Sequence, residues 1–292
     1  MHIYCKRRIK FLLILPTFIL LCVYTLYPLV ETVWQSFYEK KAFTPYVFVG
    51  FDNYINWFNN ELFYKTLGNT LIIWVVSLAL LIPLGLLLGF LLNMKLRGIT
   101  IVKVATFMPV ILSGIMIGIV WSFIVDPGIG VLNGFFYSVG LDDWALQWIG
   151  GRTITPYTVA VIESWKSVGF YGLLFMAGLK MIPKDCLEAA EIDGASSFQR
   201  AWYVTLPLLK EQTKIVVVMI SISALKSFEM VRILTSGGPM RQSHTVSTLL
   251  YEVFFKIEMD FGYGSALAIF QFILIMSTTI LFLHLTQKRV ED

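Results

Sequence analysis

Charged residues are scarce in this chain. Asp, Glu, Lys and Arg make up 14% of its 292 residues, against roughly 25% in a soluble domain, while 57% are hydrophobic. This composition excludes an ordinary soluble protein and indicates an integral membrane protein. The net charge of +4 comes mostly from basic residues in short segments beside apolar runs, which argues against nucleic acid as a partner.

Motifs that carry chemistry are also missing. Cys5, Cys22 and Cys186 are widely separated and form no CxxC pair, so their spacing supports neither a disulfide nor a metal site. The histidines are scattered as well. No GxxxxGK[ST] sequence is present to bind the phosphates of ATP, and no GxSxG sequence to carry a nucleophilic serine. We therefore expect no catalytic residue, no metal site and no cofactor bound by this chain itself.

Long apolar runs are abundant instead. Each is about 20 residues or longer, which is enough to cross a hydrocarbon core of about 30 Å. Backbone groups in lipid must be satisfied within the segment, so the runs should be helices. We predict an all-α, polytopic membrane protein with one transmembrane domain over residues 1–292. Its six spans fall at roughly 11–30, 69–93, 101–125, 155–179, 213–235 and 264–286.

The distribution of lysine and arginine predicts the orientation. With the N-terminus inside, 14 basic residues lie in inner segments or, for Lys103 and Lys214, at the inner ends of spans, 6 lie in outer segments and 3 lie deeper within spans, which accounts for all 23. This excess on the inside predicts two cytoplasmic termini and a cytoplasmic loop at 180–212. The first apolar run is longer than the roughly 7–15 residues of a signal peptide, so we interpret it as a retained helix.

The outer segments 31–68 and 126–154 are rich in Trp, Tyr and Phe. Such rings favour the membrane interface because they combine an apolar body with a polar edge. An interfacial belt is therefore one interpretation. The other is a docking surface for a protein that delivers the substrate, and the residues alone leave both open.

The loop at 180–212 carries signals for two short helices. Pro183 suits the first turn of one helix, and Gly194 suits its C-terminal cap because glycine tolerates a left-handed backbone. Ser196 and Gln199 form the capping-box pattern of a second helix, which we expect Pro207 to end. The result is a compact protrusion. On local chemistry alone it is either a helical hairpin without a partner or a docking element.

One spacing in this loop resembles a known motif. Glu188-Ala189-Ala190 is followed after three residues by Gly194, and nine residues later by Val204, one residue and Leu206-Pro207. The pattern resembles the EAA loop of ATP-binding-cassette (ABC) importer permeases, with valine in place of the family's isoleucine. The resemblance implies a coupling helix that docks on a separate ATPase. The coupling residues it implies are Glu188, Ala189, Ala190, Asp193, Gly194, Leu206 and Pro207.

A wider resemblance covers nearly the whole chain. It rests on Asn69-Thr70-Leu71, Met108-Pro109, residues 234–239 (LTSGGP) and residues 262–267 (GYGSAL), and it is to the carbohydrate-uptake permeases of the maltose and glycerol-phosphate type. It implies a bacterial cell-membrane protein that transports a carbohydrate. Its partners would be a second, homologous permease subunit, two copies of an ATPase that binds ATP and Mg²⁺, and an extracytoplasmic solute-binding protein. A glycerol-phosphate ester, an amino-sugar conjugate or a gradient-driven mechanism are the alternatives.

Ionisable residues occur within the fourth and fifth spans. Such residues are costly in a membrane and usually face a cavity or a partner. Glu163 and Lys166 are three residues apart and share a helix face, and Lys226 and Glu229 repeat that spacing. A polar translocation cavity and a structural salt bridge are both compatible with this pattern. Our candidates for the substrate pathway, with the aromatic rings offered to sugar rings, are Glu163, Trp165, Lys166, Phe170, Phe228 and Glu229.

Overall fold

The computed structural model describes residues 7–151, 153–256 and 259–287. The chain divides into two compact units, one comprising residues up to Asn60 with Leu250–Ile273, the other Glu61–Leu249 with the residues after Ile273. The described helices are α1 Arg7–Leu21, α2 Tyr27–Gln35, α3 Asp52–Phe58, α4 Glu61–Asn93, α5 Ile99–Ile111, α6 Gly114–Ile124, α7 Val131–Ser138, α8 Thr155–Met181, α9 Lys184–Ile192, α10 Ser197–Arg200, α11 Leu206–Leu208, α12 Lys210–Leu225, α13 Glu229–Leu234, α14 Val246–Phe255 and α15 Phe261–Gln287.

The first unit begins with a long helical run. A π-helical turn at Cys22–Leu26 joins α1 to α2 without interrupting the helix. No side chain between Phe11 and Gln35 is buried, although the segment is strongly apolar. An apolar surface that is open all round is typical of a helix that faces lipid.

The segment between α2 and α3 is fixed by polar contacts. Two-residue strands, β1 Tyr38–Glu39 and β2 Val47–Phe48, pair antiparallel, a small exception to the expected all-α fold. The side-chain amide of Asn53 donates to the carbonyl oxygens of Ser36 and Tyr38 at 2.9 and 3.0 Å. Farther along α3, the indole of Trp57 stacks on the ring of Tyr263 with centroids 3.9 Å apart and donates to its carbonyl at 2.8 Å.

The second unit is centred on α4 and α8, which lie against each other along much of their length. A Cβ at Gly89 of α4 would lie 2.7 Å from the Cβ of Phe175 and 3.2 Å from the carbonyl oxygen of Gly172. Phe175 is completely buried at this contact. Membrane helices commonly approach each other in this way, because a small residue lets two backbones come close.

Four described helices are long and apolar enough to cross a membrane, namely the run Phe11–Gln35, α4, α8 and α15. The pair α5 and α6 would make a fifth span, but its axes are bent by 95°. The single helical span predicted over 101–125 is therefore two helices instead. Leu112 and Ser113 have extended backbones at the bend, and Pro109 removes one intrahelical donor just before it.

The fifth expected span, 213–235, is also broken. Helix α12 ends at Leu225 and α13 begins at Glu229, so the prediction of one continuous helix is wrong here too. The reason is that tertiary contacts hold the intervening backbone. The carbonyl of Ser227 accepts a 2.7 Å hydrogen bond from the hydroxyl of Thr245, far along the chain. The hydroxyl of Ser227 donates to the carboxyl group of Glu163 at 2.6 Å.

Candidate functional site

The break between α12 and α13 opens onto a polar cavity of about 270 Å³, which we call the charged cavity. Helix α8 forms its opposite wall. It combines two acidic, two basic and three hydroxyl side chains with one aromatic ring and one methionine. The lining residues are Glu163, Lys166, Ser167, Ser223, Lys226, Ser227, Phe228, Glu229 and Met230.

The opposite charges in this cavity are arranged as one loose pair and one hydrogen-bonded carboxyl group. The ammonium of Lys166 lies 3.8 Å from a carboxylate oxygen of Glu229, and the Glu229 side chain is 49% exposed. Ion pairs of such exposure hold their partners weakly. The carboxyl group of Glu163 is fixed more firmly by Ser227. The cavity therefore keeps charged groups of both signs accessible to a solute.

The bend of the third predicted span closes over the Lys166–Glu229 pair. A Cβ at Gly114, the first residue of α6, would overlap the carboxylate of Glu229 and lie 2.8 Å from the ammonium of Lys166. Only glycine leaves room for the pair at this position. Because the N-terminal end of a helix carries partial positive charge, α6 favours the Glu229 carboxylate beside it.

Four of the six predicted pathway residues, Glu163, Lys166, Phe228 and Glu229, line the charged cavity. Trp165 and Phe170 do not. The indole of Trp165 is 46% exposed and meets the ring of Trp121 edge to face, with centroids 5.4 Å apart. Phe170 packs edge to face on Tyr171. Trp165 lies on the face of α8 opposite Glu163, whereas Phe170 shares the face of Glu163 but lies about two turns farther along the helix.

Sequence reasoning missed the serines of this site. Ser223 and Ser227 lie one turn apart just before and within the break, and Ser167 follows Lys166. Hydroxyl groups at helical spacing beside charged residues in an apolar span are the signal that would have found them. In the described part of the chain, no group of three or more His, Cys, Asp or Glu side chains is placed to hold a metal ion.

The loop between α8 and α12 carries the EAA-like sequence, and its first helix ends as expected. Gly194 has φ +78°, and its N–H donates to the carbonyl of Glu191 at 3.1 Å. The N–H of Ala195 reaches the carbonyl of Ala190 at 3.0 Å. This pair of bonds is the Schellman arrangement, so the prediction of a glycine cap is confirmed. Pro183 immediately precedes α9 rather than lying inside its first turn.

The capping box of the second loop helix is confirmed as well. The backbone N–H of Ser196 donates to the Gln199 side chain at 2.8 Å, and that of Gln199 donates to the Ser196 hydroxyl at 3.3 Å. An ion pair between Arg200 and Glu191, at 2.9 Å, joins the two loop helices. The expectation that Pro207 ends the second helix is wrong.

Beyond α10 the chain stays helical through a π-helical turn, Ala201–Thr205, and then through α11. Pro207 is the second residue of α11 and directly follows the π-helical turn. The second loop helix therefore runs almost to the start of α12, and Leu209 is the residue between them.

Most of the predicted coupling residues are accessible. Glu188, Ala189, Asp193, Gly194 and Pro207 are exposed, while Ala190 and Leu206 are half-buried. The same loop exposes three large apolar side chains that sequence reasoning passed over. Ile192 is 86% exposed, and Phe198 stacks on Trp202 while both remain open to solvent. Apolar residues in an otherwise polar loop were the available signal, since exposed apolar patches mark contacts with other proteins or with the membrane.

The chain combines broken apolar spans, a charged cavity at one break and an exposed pair of short helices in a connecting loop. These features define its class as a polytopic membrane transport subunit. The chain belongs to the family described as the binding-protein-dependent transport system inner membrane component, which matches residues 81–291. Members of this family are multi-pass membrane proteins and transport components rather than enzymes.

Named relatives agree with this assignment. The probable ABC transporter permease protein YurN of Bacillus subtilis is 32% identical, with 90% of each chain covered. The trehalose/maltose transport system permease protein MalF of Thermococcus litoralis is 31% identical over 98% of this chain and 96% of the relative. A bacterial alginate ABC transporter, solved in complex with an alginate pentasaccharide-bound periplasmic protein, has a chain with the same fold. Its TM-score is 0.84 at 21% identity, over 99% of this chain and 97% of that one.

Proposed function

We propose that this chain is a permease subunit of an ATP-driven carbohydrate importer, in which it forms half of the translocation pathway and couples that pathway to a separate ATPase. The observation that carries the proposal is the ordered pair of short helices, between α8 and α12, that exposes the EAA-like sequence. Family membership supports an importer. A trehalose/maltose permease among the relatives supports a sugar as the substrate.

The proposed topology has six spans in a single domain, with both termini in the cytoplasm. The third span is the bent pair α5 and α6, and the fifth is the broken pair α12 and α13. Non-helical backbone at membrane depth is tolerated where it lines a cavity. The break between α12 and α13 fulfils that condition, because residues 226–228 line the charged cavity. At the bend between α5 and α6, Gly114 lies against Lys166 and Glu229 of the same cavity.

The proposed partners follow from the loop. A partner ATPase, present in two copies, binds ATP and Mg²⁺ and covers Glu188, Ala189, Ala190, Asp193 and Gly194 together with the exposed rings of the loop. Leu206 and Pro207 return the chain to the membrane. A second, homologous permease subunit completes the pathway, and an extracytoplasmic solute-binding protein delivers the solute.

In the charged cavity, Glu163, Lys166 and Glu229 would hydrogen-bond to sugar hydroxyls, and the Phe228 ring would offer an apolar face. An anionic solute such as a glycerol-phosphate ester is a second candidate. The observation that favours it is that two ammonium groups, those of Lys166 and Lys226, line the same cavity. Trp165 and Phe170 would act elsewhere along the pathway, outside this cavity.

Purification of the tagged full chain from its native membrane in mild detergent tests the proposal. We expect a second permease and an ATPase to accompany the wild-type chain. Gly194→Arg should lose the ATPase. Gly98→Arg is the matched control in another loop, because Gly98 has a similar φ of +83° and a Cβ added at either glycine would have no neighbour within 4 Å. Purification of the intact chain alone, or equal loss in both variants, contradicts the coupling role.

A further inference from the structure

A second cavity, separate from the charged one, lies among α4, α8, α11, α12 and α15. Its volume is about 530 Å³. Its walls are mainly apolar, with Leu86, Phe175, Val217 and Phe282 among them. Lys210 and Lys214, one turn apart at the start of α12, line it as well. We call this space the inner cavity.

The length of the inner cavity matches one leaflet of a bilayer. Val217 lies seven residues into α12 from Lys210, a rise of about 10 Å. Ile82, another lining residue, lies eleven residues before the end of α4 at Asn93, or about 16 Å. Half of a hydrocarbon core is about 15 Å thick. The cavity therefore extends from the membrane surface, where the lysines are, to about the middle of the bilayer.

The charges of the inner cavity favour an anionic ligand. Lys214 pairs with Glu211 at 2.5 Å, and its side chain is only 11% exposed. Within the described part of the chain, no carboxylate lies within 4.0 Å of the half-buried Lys210. Two ammonium groups and one carboxylate leave one net positive charge at the entrance. Such a charge at the membrane surface attracts the headgroups of anionic lipids.

We propose that the inner cavity binds an anionic phospholipid of the cytoplasmic leaflet. Its phosphodiester lies on Lys210 and Lys214, and one acyl chain extends along α12 past Val217 to Phe175. Basic pockets between membrane helices on the cytoplasmic side recognise such headgroups. A sugar solute does not fit these apolar walls, whereas one lipid supplies both an anionic group for the lysines and an acyl chain for the walls.

The lipid would also touch the coupling loop. Leu206 and Pro207 line the inner cavity, and they end the loop that we propose meets the ATPase. Lipid in the cavity therefore supports the loop from the membrane side and increases the coupling of ATP hydrolysis to transport. Both steps rest on the proposed function, because the leaflet follows from the proposed topology and the coupling step also requires the partner ATPase.

The binding step is tested on the delipidated full assembly by native mass spectrometry with added phosphatidylglycerol, phosphatidylcholine or inorganic phosphate. We expect one tightly bound phosphatidylglycerol that phosphate does not displace. K210Q and K214Q should each weaken it about fivefold, as expected for one lysine at a membrane surface, and leave phosphatidylcholine binding unchanged. K95Q removes an exposed inner-loop lysine outside the cavity and should have no effect.

Filling the cavity separates the possible occupants. V217W should abolish the tight phosphatidylglycerol site, while V217C should form no cross-link to another chain. Equal phosphatidylglycerol binding in wild type, K210Q and V217W would overturn the lipid site, as would a V217C cross-link to a neighbouring subunit. If V217W loses the lipid but keeps full coupling, the coupling step is overturned and the site stands. Failure of the ATPase to copurify with wild-type chain would instead refute the proposed function.

Discussion

The hydroxyl of Ser227 donates a 2.6 Å hydrogen bond to the carboxyl group of Glu163, from the break in the fifth predicted span to the middle of α8. The same residue's carbonyl is held by Thr245. One serine thus keeps the break open with its backbone and orients a cavity carboxyl group with its side chain. The shape of the charged cavity depends on this residue more than on any ion pair in it.

Ser227→Ala should therefore destabilise the protein. A hydrogen bond to a carboxylate contributes about 1.5–3 kcal/mol, so we expect a lower melting temperature in detergent and reduced transport. Ser223→Ala is the control, since Ser223 lines the same cavity, is exposed and makes no side-chain bond to Glu163. Its effect should stay within about 0.5 kcal/mol. Equal melting temperatures for the two variants would show that the Ser227–Glu163 bond does not hold the break.

Reversal of the charges at Lys166 and Glu229 distinguishes a pathway from a structural pair. Because this pair is partly exposed, the coupling energy for stability in a double-mutant cycle should not exceed about 1 kcal/mol. We expect K166E and E229K each to abolish the solute-stimulated ATP hydrolysis proposed for the assembled complex. The double variant should recover its melting temperature but not its stimulation. Full recovery of stimulation would make the pair structural only.

Gly89 should tolerate no side chain. A Cβ there would lie 2.7 Å from the Cβ of Phe175 and 3.1 Å from the backbone nitrogen of Met176, so Gly89→Ala must push α4 and α8 apart. We expect a cost of about 1–3 kcal/mol, measured as a lower melting temperature. Gly68→Ala, in the same helix with nothing within 4 Å, should be neutral or stabilising by up to about 1 kcal/mol. A neutral Gly89→Ala would show that the two helices can separate freely.

Loss of the second loop helix's cap should weaken coupling without preventing folding. Ser196→Ala removes the acceptor for the Gln199 N–H and should lower the stability of the helix by about 1 kcal/mol. We expect faster proteolysis of the loop in the isolated chain and lower solute-stimulated ATP hydrolysis in the complex. Ser197→Ala changes an adjacent, exposed serine that is not the cap, and it should match wild type. Identical proteolysis and identical ATP hydrolysis in the two variants would show that the Ser196 cap does not contribute to coupling.

Local chemistry accounts for what the sequence predicted well. Gly194 and the Ser196–Gln199 pair could be assigned from their neighbours alone, because a helix cap involves residues within four positions of each other. The breaks in the third and fifth predicted spans could not be assigned in this way. The backbone at Ser227 is held by Thr245, and the bend at Ser113 accompanies contact between α6 and α13. Such partners are distant in sequence and leave no periodic signal within the apolar run.

The charged cavity was predicted in part for the same reason. Spacing correctly placed Glu163 and Lys166 on one face of α8, since that relation lies within a single helix. It could not show which face of α8 meets the break, so Trp165 was assigned to the cavity although it lies on another face. It also could not show how far the cavity extends along α8, and Phe170 lies on the same face but beyond the lining residues. A helix wheel gives the angle between two side chains but not the direction in which the helix is turned.

The two short helices that follow the breaks also contact each other. A Cβ at Gly118 of α6 would lie 2.8 Å from a methyl carbon of Ile233 in α13, so the pair is closely packed. Two residues join α5 to α6, and three residues join α12 to α13. A movement of this pair as one body would therefore need changes in only those few backbone angles and would leave the hydrogen bonds within α5 and α12 intact. In the proposed transport cycle, such a movement would exchange one set of side-chain contacts for another without unfolding within the membrane.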